Sequence, residues 1–311
     1  MMFSAPLSMM LYSTYGPKPI MLMSMTFPLL IMPLIYIFWE PRNLELKSTR
    51  NQCREIWTAV CNRAVWQPMG AVFIYGTLQV SNAAWKEYLK SVLNFTATQL
   101  NVLLLAGGLL AFLGIIAYKM YMITWRWRSI YYVTMSLNGF FSALQVLLIQ
   151  GITFGFSPFL FALGDDALDD FVLGMQFLPV CIMMVHLCPN GSEGAAYAMF
   201  TTVCNAAGNL NAAISTMLLG IWDVRKETLM AGDLSGMTKL TILTTALQVS
   251  GIIFVQFLPN RKEDLDTIKE KPDSNSVLGG FIFLSVTFLS IIYSVFVGVM
   301  NIIHPGWSGE S

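Results

Sequence analysis

The sequence LCPNGSEGAAYA, residues 187–198, separates two long apolar segments by a short polar turn. Pro189 is expected to end the first helix, and the Asn-Gly pair that follows it favours a turn. Ser192 then supplies an N-cap, and Glu193 lies in the first turn of the second helix, where the helix dipole favours a carboxylate. Because an ionisable residue beside membrane-length segments also indicates a functional site, both interpretations of Glu193 stay open.

The composition is that of a membrane protein. Hydrophobic residues make up 55% of the chain and charged residues only 12%, which is about half the charged fraction of ordinary soluble domains. The formal net charge is zero and there are two histidines, so neither nucleic-acid binding through a basic surface nor a histidine metal centre is expected. The five cysteines follow no zinc or redox spacing, and no nucleophile or cofactor motif is present, so we expect no cofactor and no enzymatic activity.

Eight apolar segments are each close to the length that crosses a bilayer, about 20 residues. We therefore predict an all-α polytopic membrane protein with about eight transmembrane helices. The segments are residues 19–38, 64–84, 96–118, 130–151, 171–188, 195–222, 240–258 and 278–303.

Lysine and arginine are concentrated in three connections, 42–63, 119–128 and 261–271, which hold twelve of the eighteen basic residues. The positive-inside rule places these connections in the cytoplasm and both chain ends outside. Within the first connection, residues 53–61 are expected to form a surface helix whose apolar face lies toward lipid. The basic-aromatic loop 125–128 is expected to anchor the inner interface.

The segment after Glu193 has one face of small and polar residues, all within about 60° of Gly194 at 100° per residue. The face consists of Gly194, Ala198, Thr201, Asn205, Gly208, Asn209, Ala212 and Thr216. Such a face is poorly suited to lipid, so it either packs against another helix or lines a solute path. The packing candidates are Gly194, Ala198 and Gly208. The candidates for hydrogen bonds to a solute are Asn205, Asn209 and Thr201, together with Gln176 in the preceding segment.

Glu193 lies about 100° away from this face. It is therefore a candidate for gating or proton coupling rather than for direct contact with solute. A second candidate is Asp170, the last of four aspartates within residues 165–170. We expect these aspartates to form a solvated acidic loop before the span at 171–188, with Asp170 at the mouth of a cavity as the alternative.

The motif at 187–198 resembles the signature of the folate–biopterin transporters, a branch of the major facilitator superfamily. That signature reads P…LCP-x-G-x-E-(G/A)-x-x-(Y/F)-A…N, and Pro179, residues 187–198 and Asn205 match it. The sequence VWQP at 65–68, entering a span, and GIIAY at 114–118, ahead of a basic loop, also fit. The resemblance extends over residues 57–222.

The resemblance implies two six-helix bundles with a solute path between them, and ion-coupled transport of pteridines or folates by alternating access. It assigns residues 1–38 to an N-terminal segment and the last helix of a first bundle, and 39–63 to the central cytoplasmic loop. Residues 64–258 become the six-helix transporter bundle, 259–276 a cytoplasmic linker, and 277–311 an extra span with a short tail.

On this assignment most of the first bundle is missing, so a truncated transporter, or a half that assembles with an N-terminal half, is expected. A pterin- or folate-like solute and the lipid bilayer are the expected partners. Two alternatives remain. One is a half-transporter that binds a partner without transporting, and the other is a facilitator for a different small solute.

Overall fold

The computed structural model describes residues 11, 15–37, 48–189, 191–271 and 274–304. The predicted segment before the first span lies mostly outside these ranges, as do part of the central loop, Asn190 and the end of the tail. The described residues are helical with connecting turns, and their one β contact is an isolated bridge between Asn62 and Asn275. The predicted all-α class is confirmed.

The described part of the chain contains twelve α-helices. They are α1 Pro17–Ile37, α2 Thr49–Val60, α3 Arg63–Leu78, α4 Trp85–Ser91, α5 Ala97–Ala117, α6 Trp127–Ile149, α7 Pro158–Leu187, α8 Glu193–Leu218, α9 Lys226–Met230, α10 Ser235–Ser250, α11 Lys262–Lys269 and α12 Val277–Ile303. A π-helical turn, Tyr118–Met122, extends α5, and a 3-10 segment, Gly251–Phe257, extends α10.

Five helical segments in the described ranges are long and apolar enough to cross a membrane. They are Ala97–Met122, Trp127–Ile149, Pro158–Leu187, Ser235–Phe257 and Val277–Ile303. The chain is therefore a multi-pass integral membrane protein, although the predicted count of eight spans is not confirmed. The other three predicted spans fall on α1, α3 and α8. In α1 the apolar helix Lys18–Leu34 is shorter, and α3 has only 16 residues. Helix α8 is long enough, but its small polar residues lower its mean hydropathy.

Helices α5 and α7 pack against each other at very short range. A Cβ atom added to Gly114 would lie 2.1 Å from the carbonyl oxygen of Phe171, and one added to Gly174 would lie 2.1 Å from the carbonyl oxygen of Ala111. Real Cβ atoms do not approach other atoms so closely, so both positions require glycine. In a bilayer the hydrophobic effect does not drive helices together, because lipid tails are as apolar as the side chains. Helices there associate by close packing through small residues.

Large apolar side chains on the outside of the bundle are exposed rather than buried. Leu104, Phe112, Phe140 and Phe288 each expose half or more of the side chain. In a bilayer these positions contact lipid tails, which satisfy them as well as a protein core would. Helix α12, the predicted extra span, packs on α8 and α3. The division of the chain into bundle, linker and extra span stays a prediction.

The three basic connections meet at one end of the bundle, which we call the basic end. The backbone N–H of Trp127 donates to the Asn260 carbonyl oxygen at 2.8 Å, and that of Ser276 donates to the Cys61 carbonyl oxygen at 2.8 Å. Helix α2 lies at this end, as the sequence predicts. Its apolar face does not point to lipid throughout, however, because Val60 and Cys61 are buried against the protein core.

Candidate functional site

The turn between α7 and α8 lies at the basic end. Helix α7 ends at Leu187, Cys188 is extended, and Gly191 has φ of +79°, a left-handed conformation that suits glycine. Ser192 occupies the predicted N-cap position, but its side chain makes no capping hydrogen bond. Its hydroxyl group instead donates to Glu55 Oε2 on α2 at 2.6 Å. The turn is therefore tied to the connection that precedes α3.

Glu193 and Cys188 complete the turn. Glu193 is exposed, and its Oε1 accepts a hydrogen bond from the Gly191 N–H at 2.8 Å. Burial and the nearby Glu193 carboxylate raise the pKa of the Cys188 thiol. The neutral thiol donates to the Met184 carbonyl oxygen at 3.2 Å. Glu193 thus lies where it orders the turn, and it points away from the small polar face of α8.

The small polar face of α8 is directed away from the bundle. Asn205 and Asn209 are exposed, and no other described residue forms a hydrogen bond with either side chain. Thr201 is half-buried, and its hydroxyl group donates to the Tyr197 carbonyl oxygen at 2.9 Å. The opposite face of α8, with Ala196, Phe200, Val203 and Ala207, is buried, and the helix packs on α3 and α12.

Packing within the described chain does not explain the small residues of this face. A Cβ atom added to Gly194 or Gly208 would meet no atom within 4 Å, and Ala198 is exposed. The packing interpretation of these three residues therefore stays a prediction, and no described residue supplies the partner helix. A helix or solute from outside the described residues would have to cover them.

Gln176 does not share the face of Asn205 and Asn209. It is buried, its Oε1 accepts a hydrogen bond from the Tyr75 hydroxyl group, and its Nε2 donates to Thr134 Oγ1 at 2.8 Å. Both ends of the amide are thus engaged in contacts among α3, α6 and α7. The structure brings three of the four solute candidates together on α8 and places Gln176 in the core.

The four aspartates are not in a loop. Helix α7 begins at Pro158, with Ser157 as its N-cap, so all four lie inside a membrane-length helix and the predicted solvated loop is wrong. Asp166 accepts a hydrogen bond from Trp85 Nε1 at 3.1 Å. Asp170 lies against α5, where a Cβ atom added to Gly107 would be 1.9 Å from Asp170 Oδ2. Asp170 therefore faces a helix interface and not an open cavity mouth.

Asp165 and Asp169 have buried oxygen atoms without partners. Asp165 is 3% exposed, and neither of its carboxylate oxygens forms a hydrogen bond of ordinary geometry with a described residue, although the Gln145 side chain interacts with the carboxyl group. Asp169 Oδ1 also has no hydrogen-bond partner among the described residues. Burying a carboxylate without a partner is costly, and such residues within membrane helices commonly mark ion or proton pathways.

Helix α3 ends at Leu78, six residues before the predicted end of its span, so carbonyl groups of this region need partners. Asn211 Nδ2 on α8 donates to the carbonyl oxygens of Gly76 at 3.2 Å and Gln79 at 2.6 Å. Gln248 Nε2 on α10 donates to the Val80 carbonyl oxygen at 3.0 Å. These amides therefore satisfy carbonyl groups freed at the end of α3, as a membrane protein must do wherever lipid offers no hydrogen bonds.

Asn211→Ala is expected to lower the free energy of unfolding by about 2 kcal/mol, because it leaves two backbone carbonyl groups unsatisfied. Asn209→Ala, two residues away on the exposed face, is expected to change it by less than about 0.5 kcal/mol. Thermal unfolding of the purified chain in detergent measures both. Equal stability of the two variants would contradict the assigned role of Asn211.

Sequence reasoning did not single out Tyr75, Thr134 or Asn211. Tyr75 and Thr134 reach Gln176 from distant positions in the chain, so no local pattern indicates them. Asn211 is different, because it lies about 100° from Gly194 on the same helix, and this angle already separates it from Asn205 and Asn209. The start of α7 also had a signal, since Ser-Pro is a typical N-cap and first helical residue.

Comparison with known proteins identifies the family. The model of the BT1 family matches residues 43–276. Curated relatives include the folate-biopterin transporter of Synechocystis sp., 21% identical over 268 residues, which are 84% of this chain and 53% of the relative. Probable folate-biopterin transporter 5 of Arabidopsis thaliana is 24% identical over 180 residues, 55% of this chain and 36% of the relative. Folate transporter 1 of Plasmodium falciparum is 20% identical over 248 residues, 79% of this chain and 48% of the relative.

The chain spans about half the length of the curated relatives it matches. No solved structure matches it. The family match covers most of the chain, including α2 to α11 and the motif at 187–198, and it confirms the resemblance inferred from that motif. The chain belongs to the BT1 family.

Proposed function

We propose that this chain forms part of a secondary transporter for a folate- or pterin-like solute. The names of the relatives support a transporter and this class of solute. The observation that carries the proposal is the exposed polar face of α8, in a protein whose other exposed helix faces are rich in large apolar side chains. This face would line the solute path.

The energetic argument concerns the amide groups of Asn205 and Asn209. An amide placed against hydrocarbon without a partner costs several kcal/mol in principle, so this face is unsuited to lipid. A carboxamide has donors and an acceptor that complement the amide-like edge of a pterin ring. Asn205, Asn209 and Thr201 would then make the polar contacts with the solute, while the neighbouring glycines leave room for it.

A path needs a second wall, and transporters of this kind work by movement of one bundle against another. The relatives, about twice as long as the matched region, support a second bundle that covers the face of α8. That bundle would come from the same gene product or from a separate chain. Alternating access would open the path at each end in turn.

The turn at 187–193 would act as the gate at the basic end. Its contacts with α2 through Ser192 and Glu55 and its internal hydrogen bond from Gly191 to Glu193 tie it to the connection ahead of α3. Opening this end would require the contact between Ser192 and Glu55 to break.

Coupling to an ion would use the aspartates of α7. The unpartnered oxygens of Asp165 and Asp169 can take up protons without any other ligand, so a proton is the coupling ion we propose. Asp170 would act with them from the interface with α5.

Simultaneous replacement of Asn205 and Asn209 by alanine is expected to reduce uptake of labelled folate or biopterin by about tenfold or more, since each lost hydrogen bond contributes about 0.5–1.5 kcal/mol. Cells that express the chain, with its second bundle where the gene encodes one, provide the assay. Asn51→Ala removes the same group from an exposed position on α2 and is expected to leave uptake unchanged.

Unchanged uptake in the double variant at equal expression would reject the solute face. A wild-type protein that takes up a different small solute, and neither folate nor biopterin, would favour a facilitator of another specificity. Absence of all uptake from a well-expressed protein would favour the non-transporting half that binds a partner.

A further inference from the structure

A cavity of about 280 Å³ lies at the basic end, between the starts of α3 and α6, the segment 257–260 and α11. Its polar wall includes Gln67, Arg128 and Lys271. The cavity has no residue in common with the turn at 187–193 or with the polar face of α8. It is therefore separate from the site of the proposed transport function.

The cavity wall carries two cationic side chains and one carboxylate. Asp264 Oδ2 accepts hydrogen bonds from the backbone N–H groups of Asn260 at 2.9 Å and Arg261 at 3.2 Å. The carboxylate therefore caps the start of α11. Arg128 Nε donates to the Leu258 carbonyl oxygen, and the rest of its guanidinium group has no partner among the described residues. Lys271 is exposed. The side chains of the cavity wall thus carry a net charge of +1, and the Asp264 carboxylate is held by backbone N–H groups and not by Arg128 or Lys271.

The position of the guanidinium group is fixed by the fold. Arg128 is in the first turn of α6, one residue after Trp127, whose N–H is bonded to Asn260. The hydrogen bond from Nε to Leu258 then holds the side chain against the wall of the cavity. A guanidinium group pre-positioned in this way binds the oxygens of a phosphate in a forked geometry, and a lysine adds a point charge.

We propose that this cavity binds a phosphate group, carried by an anionic lipid headgroup or present as free phosphate. The apolar part of its wall, residues 257–259, borders the cations, as expected for a ligand with a polar head on an apolar body. Trp125 next to Arg126 is exposed, which is typical of aromatic residues at headgroup level. Basic pockets between membrane helices on the cytoplasmic side are suited to phosphorylated headgroups.

The test uses the purified full chain and two probes. In the first arm, nanodiscs of phosphatidylcholine contain a minor fraction of phosphatidylinositol 4-phosphate, and native mass spectrometry measures how much of that lipid stays bound. In the second arm, inorganic phosphate is titrated calorimetrically into the protein in nanodiscs of phosphatidylcholine alone. Lys271→Gln, Arg128→Gln and the double variant are compared with wild type and with the control pair Arg126→Gln and Lys262→Gln, which removes equal charge from exposed positions outside the cavity.

We expect each cavity variant to weaken phosphate binding by about tenfold, the loss typical of one charge-assisted hydrogen bond or ion pair, and the control pair to weaken it by less than about twofold. Binding in the first arm alone identifies a lipid headgroup as the source, and binding in both arms identifies free phosphate as sufficient. Equal losses in the cavity variants and the control pair would overturn the proposal, because they would indicate diffuse surface charge. Absence of binding in both arms would overturn it as well. Lys271→Gln is the variant least able to disturb folding, since the Lys271 side chain is exposed and forms no hydrogen bond with another described residue.

Discussion

Gly174→Leu is expected to separate α7 from α5 and to abolish the folded protein. The added Cβ atom would lie 2.1 Å from the carbonyl oxygen of Ala111 and 3.1 Å from its Cα atom. Both contacts are with backbone, so no rotation of a flexible side chain relieves them. Forcing a large side chain into packed helices costs about 1–3 kcal/mol where the surroundings adjust, and more is expected here because two helix backbones must move apart.

The measurement is the yield of monodisperse protein and its thermal unfolding temperature in detergent. Gly108→Leu is the matched control, because it makes the same substitution on α5 at a position where a Cβ atom would meet nothing within 4 Å. Leucine is the better helix former by about 0.7 kcal/mol or more, so this control is expected to be as stable as wild type or more stable. Similar losses in both variants would mean that the close approach of α5 and α7 is not what holds the bundle together.

The sequence predicts this fold well where information is local. Apolar segments of membrane length mark the helices, since a segment in lipid must satisfy its own backbone hydrogen bonds. Helix ends are harder to predict when they lie within an apolar segment. Helix α3 can end at Leu78 because the side-chain amides of Asn211 and Gln248, far along the chain, donate hydrogen bonds to the carbonyl groups that the break leaves free. Nothing within residues 64–84 indicates those partners.

In the candidate site, too, local patterns predict some residues and long-range packing decides the others. The polar face of α8 follows from helical geometry alone, which places Asn205 and Asn209 on one face, and both side chains are exposed. Gln176 is a candidate because it is a polar residue in the preceding span, and residue type alone does not specify which way its side chain points. Its engagement by Tyr75 and Thr134 depends on how three helices pack, which residue type and spacing do not specify.

The aspartates of α7 show how one misplaced helix start changes the interpretation of a whole cluster. Counting apolar residues places the start near 171 because the charges interrupt the run. The N-cap Ser157 followed by Pro158 places it more than three turns earlier, and the structure follows the cap. The change matters chemically, since it moves four carboxylates from water into a helix that faces α4, α5 and α6.

The depth of these carboxylates follows from the length of α7. Its 30 residues extend about 45 Å, whereas the hydrocarbon core is about 30 Å thick. If the excess is shared between the two ends, about 7 Å at each end lies outside the core. Asp165 is then about 10 Å and Asp169 about 17 Å from the start of the helix, and both fall within the hydrocarbon region. Among the described residues, Lys86 interacts electrostatically with this cluster, through Asp166.

Asp165→Asn and Asp169→Asn are therefore each expected to reduce transport without reducing stability. Asparagine has nearly the same shape but cannot carry a charge or exchange a proton. Removal of the charge from a buried carboxylate that has an oxygen without a hydrogen-bond partner is expected to leave the unfolding temperature unchanged or to raise it. On the proposed proton coupling, accumulation of labelled folate or biopterin is expected to fall by at least about fivefold, which corresponds to the lower end of typical coupling free energies. Glu227→Gln, at an exposed position on α9 where the side chain forms no hydrogen bond with another described residue, should change neither quantity.

The pairing of the two measurements separates a functional role from a structural one. If the aspartates held the helices together, stability and uptake would fall together, and the protein would be recovered in lower yield. If they were solvated side chains without a role, neither quantity would change, as for Glu227→Gln. A residue kept in the apolar interior for its ability to bind a proton should reduce transport when its charge is removed, while the protein becomes no less stable. The two quantities then separate, because a buried carboxylate adds little to stability and the proposed coupling requires its proton.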